Sequence, residues 1–221
     1  MQVRAVRQYL EFLKISGIQD VFFDPKYTML ANQKMKEKLD LNELKIKYSN
    51  CQKCLLCEGR IKFVYGEGNP DAKLMLIGEG PGADENITGR PFVGRAGQLL
   101  TKMLQAIKIE REDVYITNVV KCRPPGNRDP LPSEIDSCKP YLDEQISLIK
   151  PKLILLLGKI ASNSLLNLNL TLKAYRERTY AVNGIKTYIT YHPSALLRNP
   201  GWKKFAWIDL QKLQKDYNSL S

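Results

Sequence analysis

Two groups of residues in this 221-residue chain have types and spacings that could do chemistry: five cysteines, and a glycine-rich loop together with a single histidine. Cys51-Gln52-Lys53-Cys54 is a C-x-x-C pair, a chelating bite suited to a tetrahedral thiolate site. Cys122 and Cys138, sixteen apart, can complete a set of four, which suits zinc or an iron–sulfur cluster equally by count. Cys138 also falls on the apolar side of a helical pattern, where it would serve as a small buried hydrophobe. Cys57 reads as a spare thiol. His192 stands in Tyr191-His192-Pro193-Ser194-Ala195-Leu196-Leu197-Arg198, a turn fixed by proline. The glycine loop follows the apolar run Leu74 to Ile77 and contains Gly78, Gly80, Pro81 and Gly82, so bare backbone N–H groups can come close to a ligand. Phe92 sits between turn residues of the same loop and reads as presented rather than packed.

The elements that must hold these residues alternate strands with helices. Leu74 to Ile77 predicts a buried strand, and helical spacing from about Arg95 puts Leu99, Leu100, Met103, Leu104 and Ile107 on one side. Val114 to Val119 predicts a strand that delivers Asn118 at its carboxyl end, followed by the basic loop from Lys121 to Arg128. A helix from about Ser133 carries Ile135, Cys138, Leu142, Ile146 and Ile149 inward. Leu153 to Leu157 is the most apolar run in the chain, as expected of a central parallel strand. Two strands, Thr179 to Val182 and Ile185 to Thr190, flank an Asn-Gly hairpin turn. A strand-like segment is also expected over Lys62 to Tyr65. A last helix from Trp202 to Leu220 carries Phe205, Ile208, Leu213 and Tyr217. The expected fold is α/β, three-layer α/β/α, with a central mostly parallel four-stranded sheet. Three loops, after Ile77, at Asn118 and at His192, then converge at the carboxyl ends of the strands, where such sheets bind ligands.

Residues 1–48 predict a helical extension packed on this core, with helices over 1–15 and about 28–39. No apolar run is long enough to cross a bilayer and residues 1–15 lack the apolar centre of a signal peptide, so the expected location is intracellular and cytoplasmic. Thirty-four Lys and Arg against twenty-three Asp and Glu give a net charge of +11, which favours a polyanionic partner through counterion release and long-range attraction.

Four motifs in order carry a resemblance: Gly78-Glu79-Gly80-Pro81-Gly82, Thr88-Gly89-Arg90-Pro91-Phe92-Val93-Gly94, Thr117-Asn118-Val119-Val120-Lys121-Cys122-Arg123-Pro124-Pro125 and His192-Pro193-Ser194-Ala195-Leu196-Leu197. With the C-x-x-C upstream, they closely resemble family 4 uracil-DNA glycosylases, a prokaryotic, thermophile-type family. The resemblance implies a catalytic domain over residues 49–221 that flips uracil out of single- or double-stranded DNA and hydrolyses its N-glycosidic bond. It also implies a 4Fe-4S cluster on Cys51, Cys54, Cys122 and Cys138, which selects iron–sulfur over zinc.

By the same resemblance Phe92 would stack on the flipped base and Asn118 would read it. Glu85 would wall off the thymine methyl group, and His192 with the Gly78 to Gly80 backbone would stabilise the departing base. Where other glycosylases of this superfamily carry a water-activating aspartate, this chain has Gly80, which leaves Glu79 as the nearest carboxylate. Leu196, Leu197 and Arg198 resemble a wedge for the gap left by the base, with Ser194, Lys121, Arg123 and Arg128 as phosphate contacts. The expected assembly is a monomer, and Gln19 to Phe23 is the stretch considered as a sliding-clamp peptide in the extension. Two rivals remain at this level. A nucleic-acid-binding protein with a structural zinc predicts no base release. An enzyme of free nucleotides predicts weak salt dependence and lacks both a P-loop lysine and a G-x-G-x-x-G.

Overall fold

The structure, a computed structural model, describes residues 41–220. The helices expected over 1–15 and 28–39 and the Gln19 to Phe23 peptide lie outside the described residues. The first described element is α1 (Leu41–Tyr48), anchored by the fully buried Leu44 and by Tyr48, whose ring centroid lies 4.5 Å from that of Tyr141.

Strands β1 (Glu67–Gly68), β2 (Leu74–Gly78), β3 (Tyr115–Asn118), β4 (Leu153–Leu157), β5 (Tyr180–Val182) and β6 (Ile185–Thr190) form one sheet in the order β1-β3-β2-β4-β6-β5. The inner four, β3, β2, β4 and β6, are parallel, and β1 and β5 add an antiparallel strand at each edge. β2 and β4 are apolar along their whole length because both of their faces are covered. The segment over Lys62 to Tyr65 runs beside Lys121, to which Val64 N–H donates at 2.9 Å, but the ladder pairing begins only at Glu67.

The helices are α2 (Ala83–Thr88), α3 (Arg95–Ala106), α4 (Pro132–Ile149), α5 (Lys159–Leu166), α6 (Leu172–Arg176), α7 (Pro193–Arg198) and α8 (Lys203–Asn218). Leu74, Leu76, Ile116, Leu153 and Leu155 point to one face of the sheet, where they meet Leu100, Met103 and Leu104 of α3 and Leu210 and Leu213 of α8. Their neighbours along each strand point the other way, and Gln145 of α4 reaches that face to donate to the Tyr115 hydroxyl at 3.2 Å. The three layers are therefore as expected. In α8 the buried stripe runs Ala206, Asp209, Leu210, Leu213, which leaves Phe205 and Ile208 exposed. Asp209 tolerates burial because Arg176 pairs with it at 2.5 Å and the Thr190 hydroxyl donates to it at 2.9 Å. No helix among the described residues is long and apolar enough to cross a membrane.

The chain leaves β2, returns through α3 to β3 on one side, then crosses through α4 to β4 on the other. The carboxyl end of β2 is thus the point where the strand order reverses, and a crevice opens there.

Candidate active site

Gly78 ends β2 directly beside Asn118 at the end of β3. A Cβ at Gly78 would come within 2.5 Å of both Asn118 Oδ1 and Phe92 Cζ, so only glycine lets the amide and the ring approach the same backbone. Asn118 is 1% exposed, and its Oδ1 has no hydrogen-bond partner within the protein. An unpaired buried acceptor costs roughly 1–3 kcal/mol, and one at the floor of a cleft is explained by a donor that a ligand brings.

Phe92 is packed rather than presented. It is 6% exposed, belongs to the core face of the sheet, and holds a left-handed backbone at φ 51° that an aromatic residue adopts only under constraint. Two contacts impose it. The Phe92 carbonyl lies where a Cβ at Gly97 would stand, 1.8 Å away, so α3 packs bare backbone on it. Glu85 supplies the other: Oε1 accepts from the N–H groups of Val93 at 2.8 Å and Gly94 at 2.9 Å, while Oε2 accepts from Gly82 N–H at 3.0 Å. Glu85 thus borders the cleft with both oxygens already engaged. It stands on α2, a short helix inside what reads from sequence as an open loop.

His192 lies opposite, its ring centroid 5.5 Å from that of Phe92. It caps α7: Ser194 N–H donates to Nδ1 at 3.2 Å, and the Ser194 hydroxyl lies 2.8 Å from the same nitrogen. A ring nitrogen that accepts from a backbone amide carries no proton, so the neutral imidazole holds its proton on Nε2. Burial, helped by the Arg198 charge, pushes His192 down to about 4, which keeps it neutral at physiological pH.

These side chains line one cleft of about 300 Å³ with Glu79, Gly80, Asp129, Ser194 and Arg198. Burial and the nearby Asp129 carboxylate push Glu79 up to about 7, against the opposing pull of Arg198. Asp129 is a wall residue that no motif singled out: a lone exposed aspartate before a proline carries no spacing signal. Arg128, also at the wall, is held by Glu134 at 2.7 Å at the start of α4. Arg123 is half-buried, with Nε donating to Asn127 at 2.8 Å.

Two expected DNA contacts are overturned. Lys121 is fully buried, its Nζ donating to three neutral oxygens, so it cannot reach a phosphate. Leu196 is 1% exposed because Pro193–Arg198 folds as a helix, which turns Leu196 into the core and Leu197, 42% exposed, outward.

Cys51, Cys54, Cys57, Cys122 and Cys138 surround a second, small cavity with Arg60 and Tyr141. Among the described residues, no three side chains of His, Cys, Asp or Glu already stand as a site for an ion. The sulfurs are nevertheless provided with donors. Tyr141 hydroxyl donates to Cys51 Sγ at 3.0 Å, Arg60 Nη1 to Cys122 Sγ at 3.5 Å, and Lys121 N–H to Cys138 Sγ at 3.3 Å. That donor set suits thiolate ligands. In the free protein, burial pushes the Cys54, Cys122 and Cys138 thiols up, Cys138 to about 12, so a bound cation must displace protons there. Arg60 and Tyr141 carry no motif and emerge only from the fold.

The family model for the uracil DNA glycosylase superfamily matches residues 65–211. A type-4 uracil-DNA glycosylase of Sulfurisphaera tokodaii is 44% identical over 185 residues, covering 79% of this chain and 84% of that protein. The type-4 enzyme of Archaeoglobus fulgidus is 40% identical over 78% of this chain and 91% of its own. A type-4 enzyme of Thermotoga maritima is 47% identical over 67% of this chain and 79% of its own. The crevice at the end of β2, its asparagine and histidine walls and this degree of similarity agree: the chain belongs to the type-4 uracil-DNA glycosylases of the uracil-DNA glycosylase superfamily.

Proposed function

We propose that the protein removes uracil from DNA: the base leaves the stack, enters the cleft between Phe92, Asn118 and His192, and is cut from its sugar by water to leave an abasic site. The observation that carries this reading is the unpartnered Asn118 Oδ1, buried beside a stacking ring and an imidazole N–H. Extrusion costs a few kcal/mol, and stacking on Phe92 returns roughly 1–3 kcal/mol. Asn118 Oδ1 accepts from N3–H of uracil while its amide donates to O4. Cytosine reverses both groups, and a mismatch of that kind discriminates by a factor on the order of ten thousand. Glu85, held rigid by three backbone N–H groups, excludes a 5-methyl group in this reading.

Bond cleavage puts negative charge on the departing base. A neutral His192 donating from Nε2 to O2, together with the backbone from Gly78 to Gly80, stabilises that charge where solvent cannot compete. Glu79 in its ionised form orients the attacking water, with Asp129 beside it. Ser194, Arg123 and Arg198 serve the phosphates flanking the extruded nucleotide, and Leu197 alone fills the vacated stack. Cys51, Cys54, Cys122 and Cys138 would hold a 4Fe-4S cluster, as four sulfurs on one cavity, three of them supplied with donors, and membership of the family support. Bound there, it would tie the 51–54 segment to α4 and to the loop after β3, a structural role away from the reacting bond.

The test is incubation of purified protein with a uracil-containing oligonucleotide and its cytosine counterpart, after its visible spectrum is recorded. A brown protein that makes abasic sites only in the first is expected. A colourless protein that binds both and cuts neither would favour a zinc-bearing binding protein.

A further inference from the structure

Lys121 connects the two centres. Its Nζ donates to Thr117 Oγ1 at 2.6 Å, to Gln145 Oε1 at 2.6 Å and to the Asn118 carbonyl at 2.8 Å, three acceptors around one amine. Its own N–H donates to Cys138 Sγ at 3.3 Å, and its carbonyl accepts from Val64 N–H at 2.9 Å. The main chain of this residue is therefore fixed on the cysteine cavity, while its side chain grips the backbone of the residue that reads the base.

Stability alone is a poor reason for the arrangement. All three acceptors are neutral, and a buried ammonium without a carboxylate partner costs more than a packed methionine of similar volume would. What a hydrocarbon chain cannot do is pull on the Asn118 carbonyl. Asn118 is the last residue of β3, and its Oδ1 has no protein partner to orient it. The orientation of the amide therefore rests on its backbone and on the packing of Gly78 and Phe92 around it. Gln145 stiffens the grip, since its amide donates to the Tyr65 carbonyl at 2.7 Å and fixes the oxygen that Nζ meets.

We infer that Lys121 is a positioning residue that sets the Asn118 amide against the base and couples the cysteine centre to the uracil slot. The coupling half rests on the cluster reading above; the positioning half rests only on the slot. A link of this kind transmits a constraint through two contiguous hydrogen-bonded elements rather than through the base or the DNA.

Two variants test it in the cluster-bearing protein: Lys121→Met, which keeps the volume and removes the donors, and Thr117→Val, which removes one acceptor and leaves Lys121, Asn118 and the cysteines in place. The readouts are the inhibition constant for free uracil, kcat and KM on a uracil oligonucleotide, and visible absorbance per chain. Lys121→Met is expected to weaken free uracil at least tenfold and lower kcat by a similar factor, with KM for DNA within twofold and absorbance unchanged. Thr117→Val is expected to weaken free uracil about threefold. Wild-type values of kcat and of the uracil constant in both variants would overturn the inference, as would wild-type values in Thr117→Val alone should Lys121→Met fail to fold. Loss of absorbance in Lys121→Met with normal uracil binding would overturn the positioning half and leave a support for the cysteine site. A colourless wild-type protein would overturn the cluster reading and the coupling with it, while the uracil constants would still decide the positioning.

Discussion

At the scale of single residues, the cleft separates an imidazole kept neutral from a carboxyl kept near neutrality, and each gives a pH-dependent expectation. Glu79 is held at about 7, above its ordinary value of 4.5, so the folded state binds its proton more tightly than the unfolded chain does. The stability this lends is complete below pH 4.5 and is lost as pH rises through 7. Glu79→Gln should therefore be as stable as the parent at pH 5 and more stable at pH 8, by about 1–2 kcal/mol after solvent screening, which thermal melts at the two values would read. If ionised Glu79 orients the water, uracil release rises through an inflection near pH 7, and Glu79→Gln flattens the profile at a cost of about 10- to 100-fold. His192, held at about 4, has the opposite sign: the folded state resists its protonation, so this group makes the protein less stable as pH falls from 6.5 toward 4. His192→Ala should lower kcat by about 100- to 1,000-fold with little change in DNA binding, measured by single-turnover release and by gel shift.

At the scale of elements, the site is a strand end, a clamped loop and a short helix. Gly78→Ala puts a methyl group against Asn118 and Phe92 at once, and neither can retreat because both are buried. The expected result is a folded protein with uracil release reduced at least about 100-fold, since a misplaced reacting geometry alone costs that much. Glu85→Gln keeps the shape but weakens three charge-assisted bonds, and should lower the melting temperature and uracil affinity together. The parallel strands, α3, α4 and the hairpin were legible in the sequence because long apolar periodicities leave few alternatives. α2 and α7 were not, because six residues are too few for a helical period to stand out among glycines and prolines. That is why Leu196 reads as a wedge from sequence and turns out to be core. Asn118 and His192 stood out as a strand-end and a turn residue, but their roles and that of Phe92 came only with the resemblance, and Phe92 reads as presented where it is packed; Asp129 was not legible, because only the fold brings it to the cleft. Lys121 misled for a related reason: beside Arg123 and Arg128 it looks like surface charge, and its burial depends on Gln145 of α4, twenty-four residues along the chain.

At the scale of the whole molecule, a net charge of +11 together with the proposed action on DNA predicts steep salt dependence. Raising salt from about 50 to about 200 mM should reduce kcat/KM by at least about tenfold, and Arg198→Ala should lower the slope of log kcat/KM against log salt by about one. A free-nucleotide enzyme would show neither effect. The cysteine cavity and the cleft at Asn118 are joined through β3, α4 and the loop between them, so substituting Cys138 should reduce colour and weaken binding of free uracil together. The account as a whole depends on Asn118 reading the extruded base between Phe92 and His192. Single-turnover release of uracil by Asn118→Ala tests this most directly: at least about 100-fold slower cleavage with DNA affinity within twofold of the parent is predicted, and cleavage at the parental rate would contradict it.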